Sequence, residues 1–283
     1  MLVTLKEVLA DARAKHYAVP AFDCVEDVLV RTILETAAEL RSPVILMCLV
    51  RDLEGNGWAY LPGLVRAAAE HHDIPIVLHL DHAVEIEPVK KAVLAGFSSV
   101  MLDGSMHPFE KNVELTRAAV ELAHRRGISV EGELGYVGGT NVDLSDAGES
   151  VLTDSRELAE FVKQTQVDAL AVSIGTAHGM VKAEAELNIM RLRELHAISS
   201  IPLVLHGGSG VPHKQLREAI QHGICKFNIY AELRMAMYHG LQISAVSQER
   251  EDPLPHEVFD PIRHEIAKVV ADKIELLGSG NRV

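Results

Sequence analysis

Long hydrophobic runs are missing from this sequence. No apolar stretch approaches the ~20 residues that a membrane-spanning helix needs. Aromatic residues make up only 4% of the chain, so Val, Ile, Leu and Ala have to fill its core. Cationic charge is in deficit: 27 Lys and Arg stand against 40 Asp and Glu, a formal net charge of −13. That balance argues against a nucleic-acid partner, which requires a basic face. It leaves room for an anionic small molecule, because a metal ion and helix N-termini make a small positive pocket even in an acidic protein. Cysteine is scarce. Cys24, Cys48 and Cys225 are odd in number and far apart, which points to reduced thiols and a cytoplasmic setting rather than a disulfide frame. The opening stretch MLVTLKEVLADARAKH has no apolar segment of the signal-peptide kind and reads as an amphipathic helix. No Pro/Gly/Ser-rich linker interrupts the chain.

What the sequence does contain is an alternation. Eight short apolar runs cover 19–22, 43–49, 75–81, 98–103, 128–133, 168–174, 202–206 and 224–228. Each is bounded by Pro, Gly or charged residues, as buried parallel strands are. Helical spacing fills the intervals at 25–41, 59–72, 85–95, 109–126, 155–165, 187–198 and 212–222. Asp154 followed by Glu157 predicts a helix start of the capping-box kind. Helices over 230–247 and 257–277 close the chain. Eight strand–helix units in 283 residues predict an α/β chain folded as a (β/α)8 TIM barrel, one domain over 1–283 with a C-terminal helical extension at about 230–277. A doubly wound open sheet has the same alternation, and strand count alone does not separate the two. One connection, from Gly135 to Thr153, is long enough to predict a functional loop.

In a parallel barrel, chemistry collects at the C-terminal ends of the strands. Asp81-His82 ends the third run, Asp103 the fourth, Glu131 and Glu133 the fifth, His206 the seventh and Asn228 the eighth, while His178 follows the sixth. Three histidines on one rim make a metal set, since catalytic zinc takes three protein ligands and keeps a position open. His79 reads as a hydrogen-bonding residue of the barrel interior. Asp81, next to a ligand but on the other side of the strand's alternation, reads either as a general base or as a carboxylate that orients a histidine. The stretch His206-Gly207-Gly208-Ser209-Gly210 offers backbone N–H groups to an anion, in the place where barrels bind phosphate.

At this point a family likeness appears. PIVLHLDHA (75–83), VEGELGYVGG (130–139), AVSIGTAHG (171–179), LVLHGGSG (203–210), ICKFNIYAELR (224–234) and the tail IAKVVADKIELLGSGNR (266–282) resemble, in order and spacing, the class II fructose-bisphosphate and tagatose-bisphosphate aldolases. The resemblance implies a barrel and a metal-dependent retro-aldol reaction on a ketose phosphate, with Zn2+ on His82, His178 and His206. It implies Asp81 as the acid/base on the hydroxyl at the bond being broken. Asp103 and Glu133 would lie at a second or displaced metal position, or at one for a monovalent cation. Gly179, Gly207, Gly208, Ser209 and the segment Asn228, Ile229, Tyr230 and Ala231 would cradle the dihydroxyacetone-phosphate half. Lys182 would sit near a substrate phosphate, and Arg234 would reach the far phosphate of a neighbouring subunit, which implies a homodimer or homotetramer.

Three departures from the family pattern touch the substrate pocket. Thr140-Asn141 stands where the family carries a loop glutamate, and an amide does no acid–base work near pH 7. Asp143, Asp146 and Glu149 are the nearby carboxylates. Ala231 replaces a phosphate-binding threonine and lies next to the bulky Tyr230, and Asp23 replaces an asparagine. These changes keep open a ketose lacking one or both phosphates, and a non-catalytic partner subunit. A Schiff-base aldolase would need Lys226 as its nucleophile.

Overall fold

The computed structural model describes residues 2–138, 150–178, 186–247 and 250–283. All eight expected runs form parallel strands: β1 (Val19–Asp23), β2 (Val44–Leu49), β3 (Ile76–Ala83), β4 (Ser99–Leu102), β5 (Ser129–Leu134), β6 (Ala169–Val172), β7 (Leu203–Leu205) and β8 (Ile224–Ile229). They pair in sequence order, and β8 returns to β1 through Ala21 opposite Asn228, so the sheet closes into a barrel. Closure rules out the open-sheet alternative, which has two free edges. The helices are α1 (Leu5–Lys15), α2 (Asp27–Glu39), α3 (Gly57–Ala69), α4 (Ile86–Ala95), α5 (Phe109–His124), α6 (Ser155–Thr165), α7 (Ile189–Ile198), α8 (His213–Gln221), α9 (Ala231–Ser247) and α10 (Pro255–Leu277). No helix among the described residues is long and apolar enough to cross a membrane.

Strand alternation divides the core into two layers. Leu46, Leu78, Leu80, Val100, Leu102, Val130 and Leu170 point outward and pack beneath the helices. Ile45, Met47, Val77, Met101, Ala169, Ala171 and Val204 point into the barrel. Higher along the same inward-facing rows, the apolar residues give way to polar ones. On β3 the inward series is Val77, His79, Asp81; on β5 it is Ser129, Glu131, Glu133, all buried. The barrel therefore has an apolar floor and an ionisable upper half.

Helix α1 seals the floor. Thr4 and Glu7 form a reciprocal capping box at its start, and Leu5, Val8, Leu9 and Ala12 enter the inner apolar layer. The expected capping box at α6 is only half present: the Asp154 side chain accepts from the Arg156 backbone N–H at 2.8 Å, without a reciprocal bond from Glu157. Arg156 draws the carboxylate instead, through its own guanidinium. Because Leu9 is fully buried in the plug, Leu9→Ala should cost about 2–5 kcal/mol through lost burial and the cavity left behind. Urea unfolding would show this as a lower midpoint.

Candidate active site

Two local features place His82. The β3–β4 register shifts between Leu80 and Ala83, and His82 itself adopts a left-handed backbone, φ 44°. A bulge of this kind re-aims side chains. Simple alternation, which puts Asp81 and His82 on opposite sides, is overturned here: His82 Nε2 lies 3.8 Å from Asp81 Oδ2, and both residues line one cavity. His178 follows β6, with its backbone N–H donating to Gly138 O at 2.8 Å. His206 follows β7. Gly207, at φ 62°, is required just after it, because a Cβ there would lie 2.6 Å from the Ala177 carbonyl carbon and 2.9 Å from His178 N. A side chain at 207 would push away the segment that carries His178.

The three histidines each offer one ring nitrogen, and these nitrogens lie within 4.8 Å of one another. Their other nitrogens are already committed. His82 Nδ1 is 2.8 Å from Asp103 Oδ2. His178 Nδ1 donates to Val137 O at 3.1 Å. His206 Nε2 is 2.9 Å from Glu131 Oε1. This leaves Nε2 of His82, Nε2 of His178 and Nδ1 of His206 as the nitrogens that a metal would meet. His178 Nε2 and His206 Nδ1 are buried without a well-aligned hydrogen-bond partner, and Glu133 Oε2 lies 3.3 Å from His206 Nδ1. Converging buried nitrogens whose rings are oriented from behind fit a divalent metal ion.

The surrounding charges agree with that donor set. Burial disfavours a charged His82, but Asp81, Asp103 and Glu133 outweigh it and raise the ring to about 10. Burial, with His82 and His206 nearby, lowers His178 to about 3. Burial works against an ionised Asp81, yet His82, His79, Lys226 and His206 hold it well below the usual carboxylate range. Asp81 is thus a carboxylate, and the Asn228 amide donates to it at 3.1 and 3.3 Å. Burial raises Glu133, and Asp103 adds to the effect.

The cavity beside the histidines is lined by Asp23, Asp81, Gly207, Gly208, Ser209, Asn228, Tyr230, Ala231 and Arg234, among others. Asp23 is buried with Oδ1 unpartnered. The Tyr230 hydroxyl accepts from Arg51 at 3.1 Å, and the Arg234 guanidinium lies 4.5 Å from the centre of its ring. Arg234 therefore lines the cavity of its own chain. Ile229 is the exception among the expected substrate residues: its side chain is fully buried in the outer core layer, because β8 alternation turns it away from the cavity. Asp103 and Glu133 form a second potential donor group with His82. Gly179, Lys182, Thr140, Asn141, Asp143, Asp146 and Glu149 lie outside the described residues. The ends of the long connection meet beside His178: Tyr136 and Val151 exchange backbone hydrogen bonds at 2.9 and 2.8 Å, and Ser150 Oγ donates to Thr176 O.

The sequence reading passed over two residues. Glu131 appeared only as one more polar strand residue, yet it orients His206. The signal was a carboxylate two residues from another on a buried strand. Arg51, at the end of β2, satisfies the same strand-end rule as the others. Lys226, the Schiff-base candidate, is fully buried in an ion pair with Glu131 at 2.9 Å and does not line the cavity. His79 is a buried interior residue bonded to Ser99, as expected.

A model of the class-II fructose-bisphosphate aldolase family matches residues 3–282. A fructose-bisphosphate aldolase of Giardia intestinalis is 39% identical over 305 residues, covering 98% of this chain and 93% of that protein. Among solved structures, the YdjI aldolase from Escherichia coli K12 is 31% identical with a TM-score of 0.89, covering 100% of this chain and 99% of its own. A putative fructose-1,6-bisphosphate aldolase from Coccidioides immitis is 25% identical with a TM-score of 0.90, over 98% and 97% of the two chains.

His82 carries a proton at pH 7 when no metal is bound, because it is raised to about 10. That charge stabilises the metal-free fold below the ordinary value of 6.5, and its contribution fades as pH rises towards 10. A divalent ion needs the lone pair on Nε2, so metal uptake at pH 7 should release about one proton or more and weaken as pH falls. Calorimetric titration in buffers of different ionisation enthalpy measures this. A buffer-independent enthalpy would contradict it.

Proposed function

The chain belongs to the class-II fructose-bisphosphate aldolase family, a carbon–carbon lyase family, and on that footing we propose that it is a zinc-dependent aldolase cleaving a ketose phosphate. The observation that carries this reading is the set of three histidine nitrogens, each oriented from behind, beside an ionised Asp81. His82, His178 and His206 hold the zinc. When bound, zinc supplies Lewis-acid polarisation of the ketose carbonyl and so an outlet for the electrons of the breaking bond.

This chain's residues perform the rest. Asp81 takes the proton from the hydroxyl on the departing aldehyde half, and the carbon–carbon bond electrons move toward the carbonyl. Asn228 keeps the Asp81 carboxylate turned to that hydroxyl. Gly207, Gly208 and Ser209 receive the phosphate of the dihydroxyacetone-phosphate half, with Gly179 and Lys182 completing that end. Asn228, Tyr230 and Ala231 lie at that same end, Ile229 contributes through its backbone alone, and Arg234 is turned to the far phosphate. Asp103 serves first as the partner of His82, and with Glu133 offers the alternate position for a metal or a monovalent cation. The whole chain acts as one catalytic unit, in a cytoplasmic homodimer or homotetramer. Exposed Met235, Tyr238 and Leu241, at helical spacing on α9, support the oligomer.

A second reading concerns the number of phosphates on the substrate. Ala231 provides no hydroxyl for a phosphate, and Tyr230 already occupies both Arg51 and Arg234. These contacts favour a ketose that carries one phosphate rather than two. Purified protein assayed on ketose bisphosphates, monophosphates and free ketoses should cleave a phosphorylated member. Cleavage should be abolished by a chelator and restored by zinc. Asp81→Asn should lower kcat by about 10²–10⁴-fold. Equal rates on phosphorylated and free sugars would sink the phosphate assignment, and silence across the panel would return weight to the partner-subunit reading.

A further inference from the structure

Lys226 lies in β8 with no solvent exposure, inside the barrel below the histidines. A buried ammonium is costly unless fully paired. Its partner is Glu131, equally buried, whose two oxygens lie 2.9 and 3.2 Å from Nζ. The same Glu131 carboxylate accepts from His206 Nε2 at 2.9 Å. Glu131 thus sits between a cation on β8 and an imidazole at the end of β7. The remaining neighbours hold it less firmly: His79 Nε2 is 3.7 Å from Oε2, and Asp81 Oδ1 is 4.0 Å from the Lys226 ammonium. Without Lys226, the plane of the Glu131 carboxylate would be fixed by a single hydrogen bond to the ring it has to orient.

We infer that Lys226 is a positioning residue: by clasping both oxygens of Glu131, it fixes the carboxylate that turns His206 Nδ1 toward the metal. The inference rests on the three-histidine metal reading. It gives the buried lysine a task that needs no contact with substrate and no covalent chemistry. It also accounts for a charge pair where Met and Leu would fill the same space.

Zinc dissociation constants measured by competition with a chromophoric chelator test this. Wild type, Lys226→Met, Glu131→Gln and the double variant are compared, with far-UV circular dichroism verifying the fold. Each single variant should bind zinc about 10–100-fold more weakly, the usual cost of losing a group that orients a ligand. The double variant should bind no more weakly than the weaker single, because Lys226 acts only through Glu131. A folded Lys226→Met variant with wild-type affinity overturns the inference, and so do losses that multiply in the double variant. Should Lys226→Met not fold, Glu131→Gln and the double variant decide, the latter having lost both charges together. Equal, weakened affinities support the inference; an unchanged Glu131→Gln, or a further loss in the double, overturns it. Failure of the wild type to take up zinc would instead overturn the metal reading, and this inference with it.

Discussion

A histidine ring is a metal ligand only when one nitrogen keeps its lone pair and that nitrogen faces the right way. In this protein the facing of each ring is set from behind. Asp103 takes His82 Nδ1, the Val137 carbonyl takes the Nδ1–H of His178, and Glu131 takes His206 Nε2. The three partners come from the end of β4, the segment after β5, and β5 itself. A closed barrel is the architecture that places them behind histidines borne by β3, by the segment after β6 and by the segment after β7. The ionised Asp81, the cavity lined by Gly207 to Ser209 and the electrostatics of the upper barrel all depend on this arrangement.

The fold was legible because each buried strand is a dense apolar run and each helix has a periodic face. All eight runs form strands at nearly the expected positions, while the choice of barrel over open sheet was decided by the pairing of β8 with β1. The gathering of His82, His178, His206 and Asp81 at one rim was legible because ionisable residues at the ends of otherwise apolar strands have few structural explanations. Partnerships were not legible. Nothing in the order of residues pairs Glu131 with Lys226, 95 positions away. The Asp81–His82 geometry defeated the alternation rule because the bulge at Leu80–Ala83 has no glycine or proline to announce it. The role of Ile229 was misjudged for the opposite reason: a motif carries every residue along, while strand parity sends only every second side chain to the cavity.

The departures from the family pattern at Asp23 and Ala231 border the cavity beside the three histidines. Asp23, Tyr230 and Ala231 all border the cavity, and two of them bring features that a phosphate site does not favour, a buried carboxylate and a missing hydroxyl. Tyr230 draws two arginines, with Arg51 donating to its hydroxyl and the Arg234 guanidinium lying over its ring.

The most direct measurement is anomalous diffraction at the zinc edge from crystals of the zinc-loaded protein. The account predicts one strong peak bound by Nε2 of His82, Nε2 of His178 and Nδ1 of His206, with Asp103 and Glu131 still hydrogen-bonded to the far sides of their rings. A peak bound through the opposite nitrogen of any of the three, or held by Asp103 and Glu133 with the histidines uninvolved, would contradict it.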